Sequence, residues 1–245
     1  MGQQYQETKV IPFYSTNATS EINVSALFNE MLLVSEHQLH AVGIDSQQMV
    51  AQGIGWVVTK YHLEIARLPR INEKVTIVTE ANSYNKFFCY RTFTLYDSQG
   101  QQLLHLLSNW VMMDIKKRSM IEVIPETMAK IGCEYSTDIW RFPRIQRFKY
   151  SQSPQIYRTR FFDIDVNGHV NNSIYLDWML DSLDKDFLMQ HQLQTLDIKY
   201  DREVAYGQSV QSFAQLEDNL ISHHQILTDN KVNAQAQMQW QQRQK

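Results

Sequence analysis

Asp163-Ile-Asp-Val-Asn-Gly-His-Val-Asn-Asn-Ser-Ile-Tyr-Leu-Asp-Trp-Met-Leu-Asp-Ser-Leu-Asp-Lys-Asp186 runs from a polar loop into an apolar helix without a break. The helical part, from about Asn172 to Asp186, carries Tyr175, Leu176, Trp178, Met179, Leu180 and Leu183, apolar over most of its circumference. A helix with so little polar face is expected to be buried on several sides. Upstream, Gln155 to Phe162 reads as a strand. Downstream, strands are expected at Leu193 to Val204, Gln208 to Leu216, Leu220 to Leu227 and Val232 to Trp240.

The first half repeats that order. Tyr5 to Tyr14 reads as a strand, and a helix follows from about Glu21 to Val42 with Gly43 as its stop. From Val57 the pattern changes to period two, with Val57, Thr59, Tyr61, Leu63 and Ile65 on one face. Further strands are expected at Lys74 to Thr79, Phe87 to Tyr96 and Gln102 to Asp114. Asp229-Asn230 mirrors Asp97-Ser98, and Trp240 mirrors Trp110, so the repeat is in register although weak in identity. One helix per half followed by antiparallel strands, without βαβ alternation, predicts an α+β class with a curved sheet wrapped around each central helix. The arrangement resembles two hotdog folds in tandem. The expected units are residues 1–130 and 153–245, with 131–152, which contains Pro143 and several arginines, as the connection.

The chain has 245 residues, 43% of them hydrophobic, and a formal net charge of -3. That charge gives no reason to expect a nucleic acid or a polybasic membrane anchor. Neither a signal peptide nor a myristoylation pattern is visible at the N-terminus, and no apolar run approaches a membrane span. Two cysteines, Cys89 and Cys133, argue for a reducing compartment without a disulfide framework. The expectation is a soluble cytoplasmic protein.

Asp163, Asp165, Asn167 and Gly168 match the opening of a calcium loop, but the twelfth position, which needs a bidentate Glu, is Ile174. His169 is the only imidazole in the loop, and His223 and His224 point to opposite faces of a strand, so no metal is expected. The residue types also suit an ordinary turn with Asn171 or Asn172 as a helix N-cap. Asp165, Asn167 and His169 nonetheless fall at alternate positions, which in an extended loop presents all three to one side.

Asp165-Val-Asn-Gly-His-Val-Asn-Asn-Ser-Ile-Tyr175 resembles the D-x-N-x-H-V-N-N-x-x-Y segment of the plant and bacterial fatty acyl-ACP thioesterases. Leu196-Asp-Ile-Lys-Tyr-Asp-Arg-Glu-Val204 is similar to that family's second catalytic strand, which ends in an Arg-Glu pair. Gly55 to Tyr61 and Ala66 to Arg70 are also similar, and the resemblance covers nearly the whole chain. It implies hydrolysis of a fatty acyl thioester on acyl carrier protein, with Asp165, Asn167, His169 and Glu203 as catalytic residues and no cofactor. Many plant members carry Cys after the Glu, where this chain has Val204, so thiolate attack from that position is not available. Cys89 and Cys133 then read as packing residues.

On that resemblance Glu203 is the general base toward water, Asn167 and His169 position the water or polarise the carbonyl, and Asp165 orients His169. Backbone N–H groups at the start of the Asn172 helix would receive the oxyanion. The alternative has Asp165 attack the carbonyl to give a mixed anhydride. The family also implies that the first half forms the acyl pocket, which points to Leu27, Met31 and Trp56, although each also suits an ordinary core position. Arg141, Arg144, Arg147, Lys149, Arg158 and Arg160 form a basic stretch without an intervening acid, suited to an acidic carrier or simply to a solvated linker. An acyl-CoA thioesterase and a non-catalytic acyl-binding hotdog are the competing readings. Two units in one chain make a monomer sufficient, without excluding a homodimer.

Overall fold

The computed structural model describes residues 2–146 and 148–243. The twelve strands are β1 (Gln4–Val10), β2 (Ile54–Ile65), β3 (Lys74–Tyr84), β4 (Phe88–Tyr96), β5 (Gln102–Asp114), β6 (Ser119–Ile121), β7 (Glu134–Tyr135), β8 (Gln155–Arg158), β9 (His191–Tyr200), β10 (Ser209–Leu216), β11 (Ile221–Thr228) and β12 (Lys231–Gln242). The helices are α1 (Val24–Ala41), α2 (Ser46–Ala51), α3 (Pro125–Lys130), α4 (Asn172–Asp181) and α5 (Lys185–Gln190). The main sheet runs β1-β3-β4-β5-β2-β9-β12-β11-β10-β8. Read from its middle outward, that order is the same in both halves. β2 corresponds to β9, β5 to β12, β4 to β11, β3 to β10 and β1 to β8. This is the tandem hotdog fold.

The halves join where β2 and β9 pair antiparallel, with Tyr61 opposite Ile198 and His62 opposite Asp197. One face of the continuous sheet packs on α1 and α4, which lie against each other. Leu27, Phe28, Met31 and Val34 of α1 and Tyr175, Leu176 and Met179 of α4 are fully buried there. Tyr61 fixes the seam with its ring edge-on to Phe28 at 4.9 Å and to Tyr200 at 6.2 Å. Such pairs contribute about 0.5–1.5 kcal/mol each beyond area burial.

Several element ends differ from expectation, each for a local reason. β1 stops at Val10 because Pro12 supplies no N–H, and Phe13–Ser15 form a 3-10 turn instead. α4 ends at Asp181 rather than Asp186. The Ser182 hydroxyl turns back to the Trp178 carbonyl at 2.7 Å, and Asp184 caps α5 by accepting the Asp186 N–H at 2.8 Å. β9 ends at Tyr200, which leaves Glu203 on a loop rather than on the strand.

The connection between the halves is a strap across the sheet face away from the helices. Trp140 stacks on Tyr90 of β4 at 5.1 Å, Lys60 of β2 lies over Phe142 at 5.9 Å, and Phe148 stacks on His223 of β11 at 4.4 Å. Alternate aromatic residues thus pin a segment that has no regular structure between Tyr135 and Gln155 among its described residues.

Candidate active site

The loop before α4 is a closed turn rather than an extended segment. Ile164 and Val170 form an antiparallel bridge, the Asp165 N–H donates to the His169 carbonyl at 2.9 Å, and the Gly168 N–H to the Asp165 carbonyl at 3.0 Å. Gly168 takes a φ of 81°, where a side chain would be strained. The Asp165 carboxylate accepts the Asn167 N–H at 2.8 Å, so it braces the turn and makes no hydrogen bond to the imidazole. Asn167 is exposed at the tip.

His169 turns inward, and its Nε2 lies 3.2 Å from Oε2 of Glu203. Glu203 is held by its surroundings although it follows the strand. The Val204 N–H donates to the Tyr175 hydroxyl at 2.9 Å, the Val170 N–H to the Val204 carbonyl at 3.0 Å, and Asn233 Nδ2 to the Glu203 carbonyl at 3.1 Å. Val204 itself is fully buried, so its side chain packs in the core and not at the reactive cluster.

A third side chain completes the cluster. Arg118, in the turn between β5 and β6, approaches His169 Nε2 with Nη1 at 3.0 Å and pairs with Glu203 through Nη2. In the sequence, Lys116-Lys117-Arg118 is a basic run just past the end of β5. Nothing in the local pattern reports a contact that spans 85 residues. Burial, then the Arg118 charge, depresses the His169 pKa, while the Asp165 charge and the Asn167 backbone oppose the shift. The ring is therefore neutral near pH 7. With Nε2 accepting from Arg118, its proton resides on Nδ1.

The cluster lines one of two adjoining cavities. One, of about 530 Å³, is lined by Arg118, His169, Glu203 and the ends of β2 and β5. The other, of about 370 Å³, reaches into the first half past Leu32, Leu39, Met49, Val50 and Ile54. Trp56, Asp165, Asn167 and Asn172 line both. Trp56 is half-buried at the wall that the two cavities share. Leu27 and Met31 line neither cavity: they are fully buried on the α1 face turned to the core, whereas Leu32 and Leu39 face the cavity. Arg91 also lines the inner cavity and donates to Gln38 Oε1 at 2.6 Å and to Thr79 Oγ1 at 2.9 Å.

The basic stretch is spread more widely than its sequence suggests. Arg141, Arg144 and Lys149 are exposed on the strap, and Arg147 lies outside the described residues. Arg158 and Arg160 line a separate cavity, with Arg160 ion-paired to Asp163 at 2.6 Å. The cations beside the reactive cluster are instead Arg118 and Arg202, with Lys116 and Lys117 next in the chain. Among the described residues, no group of side chains is arranged to hold a metal ion.

Residues 2–131 match the family model of the acyl-ACP thioesterase N-terminal domain, and residues 147–242 match that of the C-terminal domain. The chain belongs to the acyl-ACP thioesterase family. Among relatives of this thioesterase-family chain is the chloroplastic oleoyl-acyl carrier protein thioesterase of Coriandrum sativum. It is 24% identical over 233 residues, covering 86% of this chain and 62% of that protein. The chain thus spans about three-fifths of the length of such curated relatives. A solved structure from Lactobacillus plantarum, provisionally assigned as an oleoyl thioesterase, is 36% identical with a TM-score of 0.96, covering 100% of this chain and 98% of that one. The 12:0-ACP thioesterase of Umbellularia californica, at 20% identity and a TM-score of 0.87 over 98% of both chains, shares the fold.

Proposed function

We propose that this chain hydrolyses the thioester of a fatty acyl group on acyl carrier protein, releasing a free fatty acid and the carrier thiol. The observation that carries the reading is the Arg118–His169–Glu203 cluster, which in a member of this family lines a cavity that shares Trp56, Asp165, Asn167 and Asn172 with a second one. The acyl chain occupies the inner cavity of the first half, and the thioester carbonyl lies at the cluster. Glu203 takes a proton from water as the water attacks the carbonyl carbon. Neutral His169 orients that water, and Arg118 bridges imidazole and carboxylate. The oxyanion is received at the start of α4, whose first residue, Asn172, lines both cavities and whose first-turn N–H groups lack helical partners. Collapse of the intermediate expels the carrier thiolate. Engagement of the Asp165 carboxylate by the turn favours a bracing role for it over nucleophilic attack.

In this reading residues 1–130 bind the chain and lend Arg118, 153–245 carry His169 and Glu203, and 131–152 link them. Lys116, Lys117 and Arg202 at the mouth receive the acidic carrier, with the strap cations as a second contact. A single chain supplies both halves of the site, so a monomer is active. No helix among the described residues is long and apolar enough to cross a membrane, and the free thiols of Cys89 and Cys133 fit a reducing cytoplasm. The test is Glu203→Gln, assayed by thiol release from acyl-ACP. The variant should melt as the wild type does and lose at least ~100-fold in kcat. Retained turnover would remove Glu203 from the mechanism.

A further inference from the structure

The turn that presents His169 has a counterpart in the first half with the same backbone hydrogen bonds. Thr16 bridges Ile22 as Ile164 bridges Val170. The Asn17 N–H donates to the Glu21 carbonyl at 2.9 Å, and the Asn23 N–H to the Ser15 carbonyl at 2.8 Å; the matching bonds of Asp165 and Asn171 measure 2.9 and 2.8 Å. Asn17 Oδ1 takes the Thr19 N–H at 2.9 Å, as Asp165 takes that of Asn167. Ser20 even adopts the positive φ of Gly168.

On this correspondence Glu21 stands where His169 stands. The Ile22 N–H donates to the Pro69 carbonyl as Val170 does to Val204, so Leu68 takes the place of Glu203. Arg243, beyond β12, ion-pairs with the buried Glu21 at 2.6 Å, in the position that Arg118, beyond β5, fills opposite His169 and Glu203. The imidazole and the base are gone, yet the cavity remains. At about 810 Å³ it exceeds the catalytic cavity and lies within the range of small-molecule sites.

Its wall is apolar, with Trp178, Leu180, Leu183, Leu188, Met189 and Leu193 in it. Its rim carries cations that the protein leaves partly unused. Among the described residues Arg158 and Lys185 have no ion-pair partner, and the buried Nε of Arg243 has no acceptor. The acids of the lining are already engaged. Asp163 pairs with Arg160, Asp181 accepts from the Tyr157 hydroxyl at 2.7 Å, and burial raises the pKa of Asp177, which bonds Ser25. An apolar cavity rimmed by unsatisfied cations fits an amphipathic anion.

We propose that this second cavity binds a free long-chain carboxylic acid, its alkyl chain along the α4–α5 wall and its carboxylate at Arg243, Arg158 and Lys185. The proposal goes beyond the hydrolase reading and takes from it only the choice of ligand, the released acid. Calorimetric titration of the full chain with dodecanoate, below its micelle concentration, should find two sites in the wild type. Leu183→Trp should leave one site, with turnover of acyl-ACP unchanged. Dodecanol should bind the second site at least ~10-fold more weakly, as loss of a charge-assisted contact requires. A diazirine-bearing fatty acid on the wild-type protein supplies an independent readout that no folding defect can confound. Label on residues 178–193 supports the site, whereas label confined to residues 32–56 overturns it. Binding that is the same in number of sites and affinity in the wild type and in Leu183→Trp would also overturn it. Because binding needs no turnover, either result leaves the hydrolase reading to be judged separately.

Discussion

Arg118→Gly should separate activity from stability. Arg118 lies at a φ of 51°, and a non-glycine residue held there costs about 1–2 kcal/mol, which glycine relieves. Against that gain, glycine adds roughly 0.5–1 kcal/mol of chain entropy to the unfolded state. The lost ion pair has side chains 58% and 35% exposed, so screening limits its contribution to about 0.2–1 kcal/mol. The contributions nearly cancel, and for a chain of this size the melting temperature should move by less than about 4 °C. Activity has no such compensation. Removing a charged donor from the reacting groups costs about 1.5–3 kcal/mol, or roughly 10- to 150-fold in kcat. The acid limb of the pH–rate profile should also move to higher pH, because one of the two influences that depress His169 is gone while burial remains. The assay is thiol release from acyl-ACP from about pH 5 to pH 8, beside a thermal melt. Unchanged kcat with an unmoved acid limb would refute the reasoning, as would a stability loss beyond about 3 kcal/mol. Arg118→Lys should restore activity only in part, since a point charge cannot bridge imidazole and carboxylate as a planar fork does.

The other predictions follow from the same contacts. Tyr175→Phe leaves the buried Val204 N–H without its acceptor and should lower stability by about 1–3 kcal/mol, read in a denaturant titration. Leu27→Ala should cost about 2–5 kcal/mol in the same titration without altering acyl-chain preference, whereas Trp56→Ala should shift the chain-length profile. His62 at the seam has a raised pKa, chiefly through its 2.7 Å hydrogen bond to Asp197, with burial opposing. Its contribution is fully present below the unfolded value near ~6.5 and is lost as pH rises through the folded one. Melts of Asp197→Asn against the wild type should therefore differ most at low pH and converge at high pH; a constant difference would contradict this assignment.

Much of the architecture is legible because it rests on periodicity. The apolar runs of α1 and α4 and the alternation in β2 announce two helices sheathed by strands, and the internal repeat pairs the halves. Breaks are harder to read. Nothing in the composition of Asn172–Asp186 shows that Ser182 will turn back on Trp178, and only the burial of Val204 against Tyr175 explains why Glu203 leaves its strand. The polar loop was visible as a group of residue types but not as a geometry, since whether Asp165 faces the turn or the ring depends on one backbone hydrogen bond. Arg118 was hidden for a different reason: its partners lie 51 and 85 residues away, and local pattern carries no record of such a meeting. The aromatic spacing of Trp140, Phe142, Phe148 and Tyr150 was available in the sequence but reads as a strap only once the sheet beneath it is known.

The most direct measurement is thiol release by the wild-type chain from acyl-ACPs of graded length, with matched acyl-CoAs in parallel. The account predicts turnover of the ACP series at clear advantage over the CoA series, with a peak in chain length set by the inner cavity. Equal or faster release from acyl-CoA would contradict the choice of carrier, and no release from either by the folded protein would contradict the hydrolase reading itself.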